Sequence, residues 1–285
     1  MLYLQQGAGA CPLLLFTERL GESHLGSRAM EAWNAAAPDW MLRAPENVQD
    51  LFYKLFKCFL YDGRWRMYLS GLKNTLLLTL FALLLGVVLG VVISLIRVTW
   101  DKTHEEMRPG LGKVLLGTAN AISKVYLTVI RGTPVVVQIM IMFFVIFASS
   151  RNKLLVGSLS FGINSGAYVA EIIRSGIMSI DAGQMEAGRS LGFGYVPTMR
   201  YVILPQAFKN VLPALGNEFI TLLKETAVVG YIGLSDLTYA GNTVGGITYE
   251  YLFPLLAVAA VYLILVMIFS GLVGRLERRL RTSER

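Results

Sequence analysis

Charge is scarce in this chain. Asp, Glu, Lys and Arg make up 16 % of its 285 residues, where an ordinary soluble domain carries about 25 %. With 54 % hydrophobic residues beside it, that scarcity excludes one large or two small soluble domains. Cysteine is scarcer still. Cys11 and Cys58 make no CxxC, and no His stands near them at ligand spacing. A disulfide framework and a zinc site are therefore not expected. The two histidines, His24 and His104, lie in polar surroundings and read as solvated. The sequence holds no GxxxxGK[ST] phosphate loop, so the chain is not expected to bind or hydrolyse ATP itself. It holds no HExxH or GxSxG either, which argues against a membrane enzyme and leaves no catalytic residue and no metal to nominate.

What is present is apolar length and a basic surplus. Formal charge is 26 minus 19, or +7. A nucleic-acid binder would not dilute such a charge in this much Leu, Val, Ile and Gly, so the surplus belongs to an integral membrane protein. A helix needs about 20 apolar residues to cross a hydrocarbon core of about 30 Å. Thr75 to Ile96 and Tyr251 to Gly274 are uncharged and make clear first and last spans. Residues 113–150 read as one long element whose later half spans, with Pro134 as a kink or a helix start. Leu154 to Ala170 is uncharged and is followed by Glu171 and Arg174. Residues 210–234 are weakly apolar and contain Glu218, Lys224 and Glu225. The expected fold is all-α with five transmembrane helices.

Lys and Arg give the orientation. They crowd into 97–113, 174–209 and the tail 276–285, which ends the chain as a basic stretch suited to an anionic inner leaflet. This places the N-terminus outside and the C-terminus inside. Lys54, Lys57, Arg64, Arg66 and Lys73, before the first span, do not follow that rule. Residues 1–45 read as a poorly ordered extension. Within it 1–29 lacks the basic start of a signal peptide, and translation is expected to begin at Met30. Residues 46–70 read as an amphipathic interfacial segment: Val48, Leu51, Phe52, Leu55, Phe56, Phe59 and Leu60 recur at helical spacing, with Lys54 and Lys57 on other faces. Packing of this helix on the rest of the protein is the alternative.

The connection between spans three and four, 181–209, is too polar to span. Gln184, Glu186 and Ala187 favour a helix, Gly192 and Gly194 a turn, and Tyr195 to Tyr201 a second short segment that Pro205 interrupts. A projecting helix-turn-helix suits a protein partner. Glu186-Ala187-Gly188, Gly192 four residues on, and Val202-Ile203-Leu204-Pro205 resemble the EAA loop of bacterial ABC-importer permeases. Gly188 stands where that pattern has its second Ala, and Val202 where it has Ile. Five further matches are similar to the polar amino-acid branch of the family: Gly71-Leu72-Lys73-Asn74-Thr75-Leu76, Arg131-Gly132-Thr133-Pro134 with Gln138, Asn164-Ser165-Gly166-Ala167-Tyr168 with Glu171 and Arg174, Gly183-Gln184, and Lys224-Glu225-Thr226. The resemblance runs through residues 71–275, the expected transmembrane domain.

The resemblance implies a type I importer permease in the bacterial cytoplasmic (inner) membrane. It implies pairing with a second permease copy or a related permease, two ABC ATPase subunits that carry ATP and Mg, and an extracytoplasmic solute-binding protein. It implies that Gln184, Glu186, Ala187, Gly188 and Gly192 contact the ATPase, with no cofactor bound by this chain. The polar residues inside the membrane offer a second site. Asn164, Tyr168 and Glu171 can share one helix face, and with Gln138 they are the candidate substrate pathway. Glu171 and Arg174 are one turn apart and can pair. Arg131, Pro134, Arg174, Lys224, Glu225 and Pro205 are assigned polar or hinge roles. A permease for another small polar solute and an ion-coupled secondary transporter are the competing readings. Gly86 and Gly90 form a GxxxG with no assigned role.

Overall fold

The computed structural model describes residues 25–282, and among these no strand occurs. Of the stretch 1–29, expected to precede the start at Met30, residues 1–24 lie outside the described residues. The chain divides into two compact units. One takes the described residues up to Tyr68 with Gly241–Ala257, the other Leu69–Ala240 with Val258 onward.

In the first unit, α1 (Leu25–Ala36), α2 (Asp39–Leu42) and α3 (Glu46–Leu55) precede a wider turn over Phe56–Leu60. Part of the stretch read as poorly ordered is thus helical. The reason is aromatic packing: Trp33 is buried and its ring lies 6.3 Å from Tyr53 and 5.6 Å from Phe56, distances at which aromatic pairs attract. The same unit holds the turn after Thr248. Lys54 bridges Asp50 at 2.8 Å and Glu250 at 3.6 Å, and its bond to Asp50 pushes its pKa up. Cys58 is fully buried against the Thr248 hydroxyl, and burial raises its thiol pKa. Thiolate is the reactive form, so Cys58 is expected to resist maleimide in the folded protein and to react on denaturation. Site-resolved mass spectrometry checks this; fast labelling of the folded chain would show the unit open.

Most of α4 (Trp65–Thr103) and of α12 (Leu252–Thr282) belongs to the second unit; α4, and Leu252–Leu280 within α12, are long and apolar enough to cross a membrane. A third span exists if α5 (Leu111–Gly132) and the helical run Val135–Ile146 count as one. They are bent by 108°, so 113–150 is not one element with a spanning later half. Pro134 removes a backbone N–H and forces Thr133 to extended angles, φ −121° and ψ 146°. The second arm starts at Pro134 as α6 (Val135–Ile141), continued by a wide turn to Ile146. After it come α7 (Lys153–Met178), α8 (Ala182–Ser190), α9 (Tyr195–Thr198), α10 (Leu204–Glu225) and α11 (Leu237–Thr248).

Small residues set how closely these helices pack. A Cβ on Gly90 would lie 2.4 Å from Val169 Cγ1, and one on Gly86 3.1 Å from Ser165. Across the contact, a Cβ on Gly162 would meet Leu85 at 2.7 Å. The GxxxG of α4 therefore holds α4 against α7, the use that small-xxx-small patterns serve in membranes. Leu78, Ala82, Ile139, Phe161, Leu222, Val229 and Ile232 close the core beside it.

The start of α4 clasps the turn before α11. Asn74 Nδ2 donates to the Ser235 carbonyl at 2.8 Å, and Thr75 Oγ1 accepts from the Leu237 N–H at 3.1 Å. Asp236 is fully buried and caps α11, accepting from the N–H groups of Thr238 and Tyr239 at 3.0 and 2.9 Å. Buried carboxylates require such partners.

Candidate functional site

The loop after α7 begins with Asp181, whose side chain accepts from the Gly183 N–H at 2.7 Å and so caps α8. The helix ends at a left-handed Gly192, φ +83°. The Gly192 N–H reaches the Arg189 carbonyl at 2.9 Å and the Phe193 N–H reaches the Gly188 carbonyl at 3.1 Å. This pair of bonds closes a helix C-terminus through a residue that glycine adopts without strain. The next helical run does not break at Pro205. A wide turn over Met199–Ile203 lets the Met199 carbonyl accept from Leu204, and Pro205 enters α10 near its start. Pro205 has no N–H to donate, and it follows directly on the wide turn where the regular bonding ladder of the helix is already interrupted. The expected interruption is a change of helical pitch.

Gln184, Glu186, Ala187 and Gly192 are exposed on α8 and its end. Beyond them Leu191 is 77 % and Val196 70 % exposed, apolar side chains left for a partner. Gly188 faces the other way. It is buried, and a Cβ there would lie 2.4 Å from Thr198 Cγ2 and 2.7 Å from Thr198 Oγ1. This explains Gly in place of Ala and removes Gly188 from the exposed face. Gly188→Ala is expected to cost about 1–3 kcal/mol through overpacking, read as a lowered Tm. Adding Thr198→Ala should recover most of it. An unchanged Tm in the single variant would contradict this packing.

Under α8 lies an apolar plug of Val98, Ile177, Ile203 and Ala207, with Met185 of α8 against it. Ion pairs surround it. Arg174 Nε and Nη2 donate to Asp101 Oδ2 at 3.0 and 2.8 Å. Arg189 Nη1 and Nη2 donate to the two oxygens of Glu106, each at 3.2 Å. Burial pushes the Tyr195 phenol pKa up. Asp101 and Glu106 carried no role in the sequence reading. Their signal was present: acidic residues are few, and both directly follow the first span.

The polar residues of α7 meet the bent arm. Gln138 Nε2 donates to the Ile130 carbonyl at 2.8 Å and to Thr133 Oγ1 at 2.7 Å. It thereby caps the end of α5 that Pro134 leaves open. Its Oε1 accepts from Asn164 Nδ2 at 2.9 Å. Arg131 Nη1 lies 3.9 Å from Glu171 Oε1, and its guanidinium stands 5.5 Å over the Tyr168 ring, within cation–π range. The expected Glu171–Arg174 pair does not form. Residues three apart on a helix point about 60° apart, so Glu171 turns to α5 and Arg174 to the end of α4. Glu171 also borders a groove of about 390 Å³ with Ser175, Ser179 and Asn210. Ser165 Oγ donates to Glu218 Oε1 at 2.7 Å between α7 and α10, a bond the sequence reading did not propose. Among the described residues no ion pair joins Lys224 to Glu225, and no group of acidic, His and Cys side chains suits a metal.

Helices long and apolar enough to cross a membrane, packed through glycines and joined by an exposed short helix, define a helical membrane protein. Residues 111–282 match the family described as the binding-protein-dependent transport system inner membrane component. The chain belongs to that family and so to the bacterial inner membrane. It is 42 % identical over 166 residues to the arginine transport system permease protein ArtQ of Bacillus subtilis strain 168, covering 57 % of this chain and 76 % of that one. It is 41 % identical over 167 residues to the glutamine transport system permease protein GlnP of Escherichia coli strain K12, with the same coverage. A solved structure of an amino acid ABC transporter with histidines superposes with a TM-score of 0.67 at 41 % identity, covering 75 % of this chain and 94 % of that one. An inward-facing MetNI methionine ABC transporter superposes with a TM-score of 0.63 at 23 % identity, over 78 % and 99 %, a likeness of fold.

Proposed function

We propose that this chain is the permease subunit of an ATP-driven importer for a polar amino acid, receiving solute from an extracytoplasmic binding protein. The observation that carries this is the outward face of α8. Gln184, Glu186 and Ala187 project there beside exposed Leu191 and Val196, and the EAA pattern stands on that helix. Two ATPase subunits dock on this face and on that of a second permease, and hydrolysis belongs to them. ATP and Mg bind there, and this chain carries no cofactor. Closure of the ATPases biases a two-state equilibrium of the membrane domain through that contact.

The domain reading is of the same kind. Five spans cross with the N-terminus outside and the C-terminus inside, within 71–275. The loop 181–209 faces the ATPases, and 276–285 lies against the inner leaflet. Residues 46–70 lie at the membrane interface. Within them Trp65, 45 % exposed, fits an aromatic belt where α4 begins, with Leu60, 64 % exposed, as an apolar anchor beside it in sequence. Single-tryptophan fluorescence at Trp65 in proteoliposomes should respond to lipid-borne quenchers; quenching by aqueous iodide alone would contradict it.

The solute passes Tyr168 and Glu171, with Arg131 beside them. Gln138 and Asn164 hold the bent arm that shapes this wall. The supporting geometry is a carboxylate and a guanidinium 3.9 Å apart and half-exposed, able to exchange each other for a zwitterion. Glu171→Gln should slow uptake by about tenfold, or ~1.4 kcal/mol, with assembly intact. Unchanged uptake would make that side chain structural. The whole reading is tested by ATP hydrolysis of the reconstituted complex with binding protein and a panel of amino acids. Stimulation by a polar amino acid is expected; stimulation by none would overturn it.

A further inference from the structure

The turn from α7 into α8 is held from both sides by one neighbour. Before the turn, Arg174 grips Asp101 near the end of α4 with two donors on one oxygen. After it, Arg189 grips Glu106, just beyond α4, with both arms of its fork. The contact of Arg189 with both oxygens of Glu106 is bidentate, a geometry that fixes orientation as well as distance. Beneath them, Val98 packs on Ile177 and Ile203, with Met185 alongside. Apolar contact is non-directional and allows sliding; two ion pairs five residues apart on one side do not. Rotation of α8 about residues 179–181 breaks the Arg189–Glu106 pair, and the Arg174–Asp101 pair holds the α7 side of that turn in place.

We propose that Asp101 and Glu106 are positioning residues that tie the two sides of the α7–α8 turn to the end of α4, Asp101 through Arg174 of α7 and Glu106 through Arg189 of α8, so that displacement of α8 is delivered to the first span rather than lost in its own loop. This rests on the reading of α8 as the ATPase contact. Arg174 and Asp101 are the stronger strap, with side chains 30 % and 24 % exposed against 47 % and 65 % for Arg189 and Glu106. Screening weakens the outer pair more. Arg174 and Asp101 both lie outside α8, so that pair acts through the α7–α8 turn and not by contact with the ATPase.

The test uses the full importer in proteoliposomes, with labelled arginine and glutamine as probes, reading solute carried per ATP hydrolysed. Asp101→Arg and Arg174→Asp should each lower that ratio by about five- to tenfold, within the coupling range of contacting pairs. The double swap should restore it to within about threefold. A merely structural role would change the yield of folded protein, not the ratio. If the reversed variants fail to fold, the isosteres Asp101→Asn and Arg174→Gln carry the test: losses that do not add support the strap, and additive losses overturn it. Unchanged ratios in the single variants overturn it, as do lowered ratios that the swap leaves low. Glu186→Lys in the same preparation separates the two claims. If it abolishes stimulation while the Asp101 and Arg174 variants behave as wild type, the strap fails and the ATPase contact stands. If Glu186→Lys has no effect, the ATPase contact itself fails.

Discussion

Glu186→Lys is expected to abolish solute-stimulated ATP hydrolysis while the permease still inserts and purifies in normal yield. Glu186 lies in the middle of α8, exposed. Its carbonyl accepts from Ser190 Oγ at 3.0 Å, and among the described residues its carboxylate makes no ion pair. Stabilisation of the helix start does not explain it either. Asp181 fills that role, and the first turn of α8 holds no acidic residue. A carboxylate with no work inside the chain is available to a basic partner. Reversing its sign at a docked interface costs about 2–5 kcal/mol, enough to release α8 from its groove. Because nothing inside the chain depends on it, the thermal stability of the permease should not move. Stimulation that survives the reversal would take Glu186 out of the contact.

Gly71→Ala is expected to have the largest effect on the fold. A Cβ there would stand 2.6 Å from the Asp236 carbonyl oxygen, 2.8 Å from its carbon and 2.9 Å from Leu237 Cα. All three are backbone atoms, so no side-chain rotation relieves the clash. The neighbouring bonds are the ones that order the turn: Asn74 to Ser235, and Thr75 to Leu237. Pushing the turn away loses both and uncaps α11. Overpacking alone costs about 1–3 kcal/mol, and loss of the buried Leu237–Thr75 hydrogen bond adds about 1 kcal/mol. The expected readout is a lower Tm and a smaller monodisperse fraction after extraction. A variant with the wild-type Tm would show that the turn is not clasped. Gly90→Leu should act in the same direction through Val169.

These outcomes divide along what a sequence can encode locally. Apolar runs placed α4 and α12 correctly, because span length is a property of one segment. The position of α8 and its glycine end was legible for the same reason. Partners were not. Glu171 and Arg174 are near each other in sequence, yet their helix angles send one to Arg131 and the other to Asp101. Only the arrangement of α4, α5 and α7 decides that. The two prolines were ambiguous in opposite ways. Pro134 bends the chain by 108° and Gln138 repairs the exposed end. Pro205 is absorbed by a wide turn, and the helical run continues. A proline pattern gives the lost hydrogen bond but not what replaces it. α11 escaped notice because its Gly, Thr and Asn carry little helix propensity; the Asp236 cap and the Thr75 clasp make it. The packing role of Gly86 and Gly90 needed α7 to be in place.

The central claim is that transport is driven by ATP through a separate subunit. It is tested most directly by uptake of labelled arginine and glutamine into proteoliposomes of the complete importer, with ATP on the ATPase side and the binding protein on the other. Uptake that requires both, and persists when ionophores collapse the ion gradients, is the predicted result. Uptake that proceeds without ATP and stops with the ionophore would contradict the account and return the chain to the class of ion-coupled transporters.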